Sequence, residues 1–197
     1  MLLPKVDANI SSPSYAQIRG LVFSPDSTKL AVAQSDGLVA VFKLGTEWGE
    51  KKAIVNKFTT AGGVPVTALC WSLQHPDMLL FGAADGKVCS LTAINVVAAR
   101  HAAQVRTGTL STNKTAVLCS NADSSAVVAL GTNTAGTHVL AAHAQGPLMR
   151  TPLQGPSTCT TLCTPPSPVA GVAWMAGGIV VACADGKVGG AMATRCT

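Results

Sequence analysis

An all-β fold built from short antiparallel strands is the architecture this sequence predicts. Three observations carry that expectation. Three segments, residues 20–42, 66–91 and 169–192, share one layout of apolar runs. Each carries an Asp-Gly pair between two such runs, a hairpin signal because glycine adopts φ > 0 without steric cost. In each, the first run ends on an aromatic residue: Phe23, Trp71 or Trp174.

Taken in chain order, the first copy is GLVFSPDSTKLAVAQSDGLVAVF. It has an alternating run to Phe23, a turn at Ser24-Pro25-Asp26-Ser27 where proline presets φ, a small-residue apolar run, the Asp36-Gly37 turn and a last run. The second copy, VTALCWSLQHPDMLLFGAADGKVCSL, repeats this about Trp71 and Asp85-Gly86. The third, VAGVAWMAGGIVVACADGKVGGAM, repeats it about Trp174 and Asp185-Gly186. The aromatic-to-Asp spacings are 13, 14 and 11 residues. A fainter copy is expected over 106–130, with Asn121-Ala-Asp123-Ser124 in place of the Asp-Gly turn. Two turns around three strands make a meander, and a fourth strand completes a propeller blade. Asp36 to Asp85 is 49 residues and Asp85 to Asp123 is 38, close to the roughly 40–45 of a propeller repeat. The expected architecture is therefore a partial WD-repeat β-propeller of three to four blades, a fragment of a larger ring. The blades are expected near 17–58, 64–93, 106–130 and 167–193, with 131–166 a long irregular connection. Gly189-Gly190-Ala191 stands where a strand favours β-branched or aromatic residues.

Composition narrows the function. The chain is 48% hydrophobic and 12% charged, so disorder is not expected. Aromatics are 4%, and the net charge of +5 is spread rather than gathered. A nucleic-acid surface would need clustered Lys and Arg with stacking rings, so no nucleic-acid partner is expected. Pro4, Lys5 and Asp7 interrupt the apolar run a signal peptide requires. Residues 169–184 are apolar and uncharged, which raises a membrane anchor as an alternative. The run is short for a span and contains glycines, so no membrane insertion is expected. Of the seven cysteines, Cys70, Cys89, Cys119 and Cys183 sit in apolar runs, and no disulfide framework is apparent. Cys159 and Cys163 lack the further ligands of a zinc site. A reduced, cytosolic compartment is the simplest reading.

Over residues 17–91 the sequence resembles the intraflagellar transport protein 172 family. The carrying residues are GLVFSPDSTKLAVAQSDGLVAVFKLGTEWGEKKAIVNKF, then VTALCW and LLFGAADGKV. The connection from Gly45 to Phe58 is the most distinctive, because no rule of propeller construction asks for those residue types there. The resemblance is weaker over 106–130 and 167–188. It implies part of an N-terminal WD-repeat propeller in a large subunit of the peripheral part of complex B. It also implies other transport-complex subunits as protein partners, a role in cilium assembly and cargo transport, and residence at the cilium and ciliary base on the cytoplasmic side. A vesicle-coat scaffold is the alternative within the same class.

No catalytic constellation is legible. There is no phosphate loop and no nucleophile elbow. His75 precedes a proline in a turn, and His138 and His143 have no carboxylate near them in sequence. No cofactor or metal is expected. Asp36, Gly37, Asp85, Gly86, Asp185 and Gly186 are read as structural turn residues. Trp48 is the candidate partner contact, since interfaces favour tryptophan; plugging the gap between blades is its alternative role. Trp71 and Trp174 end apolar runs and are read as core.

Overall fold

The computed structural model describes residues 16–44, 54–92, 115–121, 123, 125–155, 158–175, 178–192 and 195–196. Among the described residues, sixteen strands form four antiparallel four-stranded sheets, each with its strands side by side in chain order. Sheet 1 holds β1 (Ile18–Phe23), β2 (Lys29–Gln34), β3 (Leu38–Lys43) and β4 (Ile54–Thr59). Sheet 2 holds β5 (Val66–Trp71), β6 (Met78–Ala83), β7 (Lys87–Thr92) and β8 (Thr115–Ser120). Sheet 3 holds β9 (Val127–Thr132), β10 (His138–His143), β11 (Leu148–Pro152) and β12 (Thr160–Cys163). Sheet 4 holds β13 (Val169–Met175), β14 (Gly178–Cys183), β15 (Val188–Met192) and β16 (Arg195–Cys196).

The sheets stack face to face. Their first strands are neighbours in the order β1, β5, β9, β13, so the sheets fan out as blades from that shared side. Stacking explains the sequence of the middle strands. β6, between sheets 1 and 3, is buried at almost every position, and a strand covered on both faces reads as a continuous apolar run. β2 and β3 are buried likewise, with Leu30, Val32, Ala40 and Phe42 clustered on the face turned away from sheet 2.

At each of the three junctions the trailing face of one sheet meets the leading face of the next. The trailing face of sheet 1 (Val22, Ala31, Ala33, Val39, Val41) packs on the leading face of sheet 2 (Leu69, Trp71, Leu79, Phe81, Leu91). Ala68, Cys70, Leu80 and Val88 then pack on Val127, Leu130, Val139 and Ala141. Ala129, Leu140, Ala142 and Leu148 pack on Val172, Trp174, Ile179 and Val181. Polar bonds cross the junctions as well. The Trp71 indole N–H donates to Val22 O at 3.1 Å. Lys29 Nζ, 8% exposed along its side chain, pairs with Asp77 Oδ1 at 2.9 Å. Thr67 Oγ1 donates to Val127 O. His143, 1% exposed, has its Nε2 3.3 Å from Gly86 O.

Several boundaries differ from those read in the sequence. The described residues of 106–130 do not form one blade: β8 is the fourth strand of sheet 2, and β9 is the first strand of sheet 3. Asp123 lies between two sheets and not in a hairpin. Residues 131–166 are not an irregular connection, because they hold β10, β11 and β12. Sheet 3 escaped detection because its markers are substituted. Thr132, buried, ends β9 where the other blades have an aromatic, and Gln145-Gly146 turns β10 into β11 where they have Asp-Gly. The glycine-rich stretch at 188–192 does form a strand, β15, paired to β14. The apolar run 169–184 is divided between β13 and β14, and no described helix is long and apolar enough to cross a membrane. Cys163 is disulfide-bonded, contrary to the reading of unpaired thiols; the cysteine spacing along the chain does not show which strands meet.

Candidate functional site

The Asp-Gly turns share one geometry. Gly37, Gly86 and Gly186 have φ of 78°, 79° and 82°. Each donates its N–H to the carbonyl three residues back, at Gln34, Ala83 and Cys183, all at 3.1 Å. This is a type I turn followed by a left-handed residue, one of the common hairpin loops. Asp36 Oδ1 accepts the N–H of Leu38 at 3.1 Å, Asp85 Oδ1 that of Lys87 at 3.3 Å, and Asp185 Oδ1 that of Lys187 at 3.1 Å. The six residues sit in the β2–β3, β6–β7 and β14–β15 turns of three different sheets. Trp48 lies outside the described residues.

A groove does form where the outer strands of sheets 1 and 2 diverge. It encloses about 230 Å³. Phe58 of β4 and Phe81 of β6 form its floor, with ring centroids 5.1 Å apart at 45°. Val117 of β8, 55% exposed, stands on one wall. Thr60 and Val64 stand opposite, tied by a 2.6 Å bond from Thr60 Oγ1 to Val64 O. Asp85 and Lys87 form an ion pair at the rim. Burial alone would push the Asp85 carboxyl up, but the hydrogen bonds and charge of Lys87 outweigh it and hold the carboxyl below its ordinary value. The bond to Asp85 raises the Lys87 ammonium in return. Both groups are thus charged at neutral pH and saturate each other.

Cys89, also lining the groove, has its thiol pushed up to about 11 by burial. A thiol so raised is not a nucleophile at neutral pH. His75, His138 and His143 are separated: His138 Nδ1 faces Thr137 Oγ1 at 2.9 Å, and His75 Nε2 faces Gln154 Nε2 at 3.3 Å. Among the described residues no group of three or more His, Cys, Asp or Glu is placed to hold a metal. An apolar floor with a self-compensated ionic rim suits an apolar side chain from another macromolecule, with polar contacts at the edge. Sequence reasoning missed this groove because Phe58, Phe81 and Val117 lie far apart in the chain. The one local signal was Phe58, which closes the distinctive Gly45–Phe58 connection.

No family model matches the sequence. Among curated proteins, the chain is similar to Intraflagellar transport protein 172 homolog of Mus musculus, 33% identical over 185 residues. That match covers 92% of this chain and 9% of the mouse protein. Intraflagellar transport protein 172 of Chlamydomonas reinhardtii is 37% identical over 145 residues, 73% of this chain and 7% of that one. Intraflagellar transport protein osm-1 of Caenorhabditis elegans is 32% identical over 183 residues, with shares of 93% and 9%. The chain thus spans less than a tenth of the length of these relatives. Among solved structures, the computationally designed Ika4 protein superposes with a TM-score of 0.64 at 19% identity, covering 91% of this chain and 92% of that one. The β-propeller domain of Myceliophteria thermophila Cps50 (Swd1) gives 0.67 at 13% identity, with shares of 96% and 58%. At those identities the structures share the fold alone, and that fold is a β-propeller.

Proposed function

The chain belongs, over a stretch equal to 9% of its mouse relative's length, to the intraflagellar transport protein 172 family, and from that premise we propose that it is a protein–protein scaffold of intraflagellar transport. In this reading it is a non-catalytic part of an N-terminal propeller within complex B, supporting cilium assembly and ciliary cargo transport. Its partners are other subunits of the complex, met at the cilium and ciliary base on the cytoplasmic side. The observation that supports a binding role is the groove between sheets 1 and 2. It offers an apolar floor on a rigid β framework, the arrangement binding sites use when loops are held by a scaffold. Trp48 remains a second candidate contact.

The test uses the full-length protein, tagged and recovered from a ciliated cell, beside Val117→Asp and Trp48→Ala versions. Val117 is exposed, so an aspartate there alters the groove without cutting into the core. The expected result is recovery of ciliary transport subunits by the parent, with at least a tenfold loss for Val117→Asp, which corresponds to about 1.4 kcal/mol. Recovery of vesicle-coat subunits with no ciliary signal would overturn the transport assignment. Equal recovery by the Val117→Asp version would remove the groove from the binding surface.

A further inference from the structure

Two thiols meet across the junction between sheets 2 and 3. Cys119 lies near the end of β8, the outer strand of sheet 2, and is 4% exposed. It packs in the cluster that joins sheet 2 to sheet 3. Cys159, exposed, stands just before β12, the outer strand of sheet 3. The Cys159 thiol donates to Leu118 O at 3.6 Å, the carbonyl bonded to the Cys119 nitrogen. Thr151 of β11, itself buried, donates from Oγ1 to Cys159 Sγ at 3.3 Å. Cys119 shares these neighbours, because its own thiol is hydrogen-bonded to Thr151 and to Cys159. Thiols in contact meet the first requirement of a disulfide, side chains that point at each other.

The other described cysteines are set apart from this pair. Cys89 packs into the junction with sheet 1, on the opposite face of sheet 2. Cys70 lies on β5, at the far side of that sheet. Cys183 belongs to the junction between sheets 3 and 4, and Cys163 is already disulfide-bonded. The two thiols also differ in reactivity. Burial, with Cys159 adding to it, pushes the Cys119 thiol up to about 12, so it does not open an exchange at neutral pH. Cys159 is open to a small solute.

We propose that Cys119 and Cys159 are a redox pair that closes into a reversible disulfide between sheets 2 and 3, with glutathione disulfide as the oxidant. Cys159 loses its proton to water and attacks one sulfur of glutathione disulfide. A bond from Cys159 to glutathione forms, the bond within glutathione disulfide breaks, and one glutathione thiolate leaves. Cys159 then no longer carries the thiol that opposes ionisation of Cys119. Cys119 loses its proton, attacks Cys159 Sγ and expels the second glutathione thiolate. The two departing thiolates take up the two protons. Two electrons pass from the cysteine pair to glutathione disulfide, which becomes two molecules of glutathione. Excess glutathione runs both steps backwards. The bridge ties β8 to the segment leading into β12, so these outer strands cannot part without breaking a covalent bond.

The experiment maps disulfides in the full-length protein. It is incubated with glutathione disulfide or with dithiothreitol, its free thiols are blocked, and a non-reducing digest is read by mass spectrometry. The expected product is a peptide pair joined through Cys119 and Cys159 in the oxidised sample, absent after dithiothreitol. Cys119→Ser should halt after the first step and hold one glutathione on Cys159. Cys119→Ala, which adds no buried hydroxyl, should do the same, and circular dichroism checks that both variants keep the parent's fold. Cys159→Ser should leave Cys119 unmodified. Hydrogen exchange at residues 158–163 should slow on oxidation of the parent and not of Cys159→Ser. Glutathione held on Cys159 of the parent while Cys119 stays free would overturn the proposal. So would a Cys119–Cys159 pair that appears only in urea-unfolded protein, or a Cys119 joined as often to another cysteine.

Discussion

Gly37 and Gly186 occupy the same place in the same kind of turn, yet substitution should separate them. Both are left-handed, at φ 78° and 82°, so alanine carries about 1–2 kcal/mol of backbone strain at either. At Gly37 the new Cβ would also collide with Thr60 Oγ1 and lie 2.6 Å from Val64 O. At Gly186 it would meet nothing within 4 Å. Gly37→Ala should therefore cost roughly 1–3 kcal/mol more than Gly186→Ala, read as the difference in urea midpoints. Asp26 makes a second prediction at this scale. The Ser24 hydroxyl donates to its Oδ1 at 2.6 Å and the Thr28 N–H at 3.1 Å. These bonds, that from Ser24 foremost, lower its pKa from 3.8 to about 2. A depressed folded-state pKa contributes stability above the unfolded value and loses it as pH falls through the folded one. The parent should thus lose stability between about pH 4 and pH 2 more steeply than Asp26→Asn, which keeps the acceptor oxygen but not the charge. Equal slopes for the two proteins would show that Asp26 does not contribute. The turn residues were legible in the sequence because glycine and aspartate have local reasons to be there. What surrounds Gly37 was not, since Thr60 arrives from the far side of β4.

Between elements, the junctions rather than the strands carry the specificity. Lys29 extends from sheet 1 to Asp77 of sheet 2 and also lies 3.5 Å from Pro76 O. Asp77 keeps 43% of its side chain exposed, whereas Lys29 keeps 8%. Removing the aspartate strands a buried ammonium, while removing both partners does not. Asp77→Ala should cost about 1–3 kcal/mol, and adding Lys29→Met should recover most of it. A double variant as unstable as Asp77→Ala would show that the pair is not coupled. Sheets 1, 2 and 4 were readable because an aromatic and an Asp-Gly pair frame each of them. Sheet 3 uses Thr132 and Gln145-Gly146 for the same tasks, which a threonine that packs and a glycine that turns can fulfil without that signature. β8 was assigned to the wrong unit because residues 93–114 separate it from β7, its partner in the ladder.

For the whole molecule, stability should be graded along the stack. Sheets 2 and 3 are covered on both faces, whereas the trailing face of sheet 4 is open and β15 is exposed over 188–190. Local opening follows such differences in coverage. Hydrogen exchange should accordingly be slowest at β6 and β10 and fastest at β15. Uniform protection of all four sheets at low concentration would contradict the grading. The all-β class and the propeller were legible from periodicity and turns. The groove was not, because it depends on how residues far apart in the chain are stacked.

Because each sheet is built from strands in chain order, synthesis and folding can keep step. Chains leave the ribosome at about 5–20 residues per second, and sheet 1 has all its partners within Ile18–Thr59. Sheet 2 breaks the rhythm. After Thr92, residues 93–114 must be made before β8 begins at Thr115, a delay of roughly 1–4 seconds at that speed. Throughout that interval β7 has a bare edge, with Val88, Cys89, Ser90 and Leu91 awaiting the strand that will pair with them. The nascent chain is therefore most open to a chaperone, or to a wrong strand, in one predictable interval, between the making of Thr92 and that of Thr115.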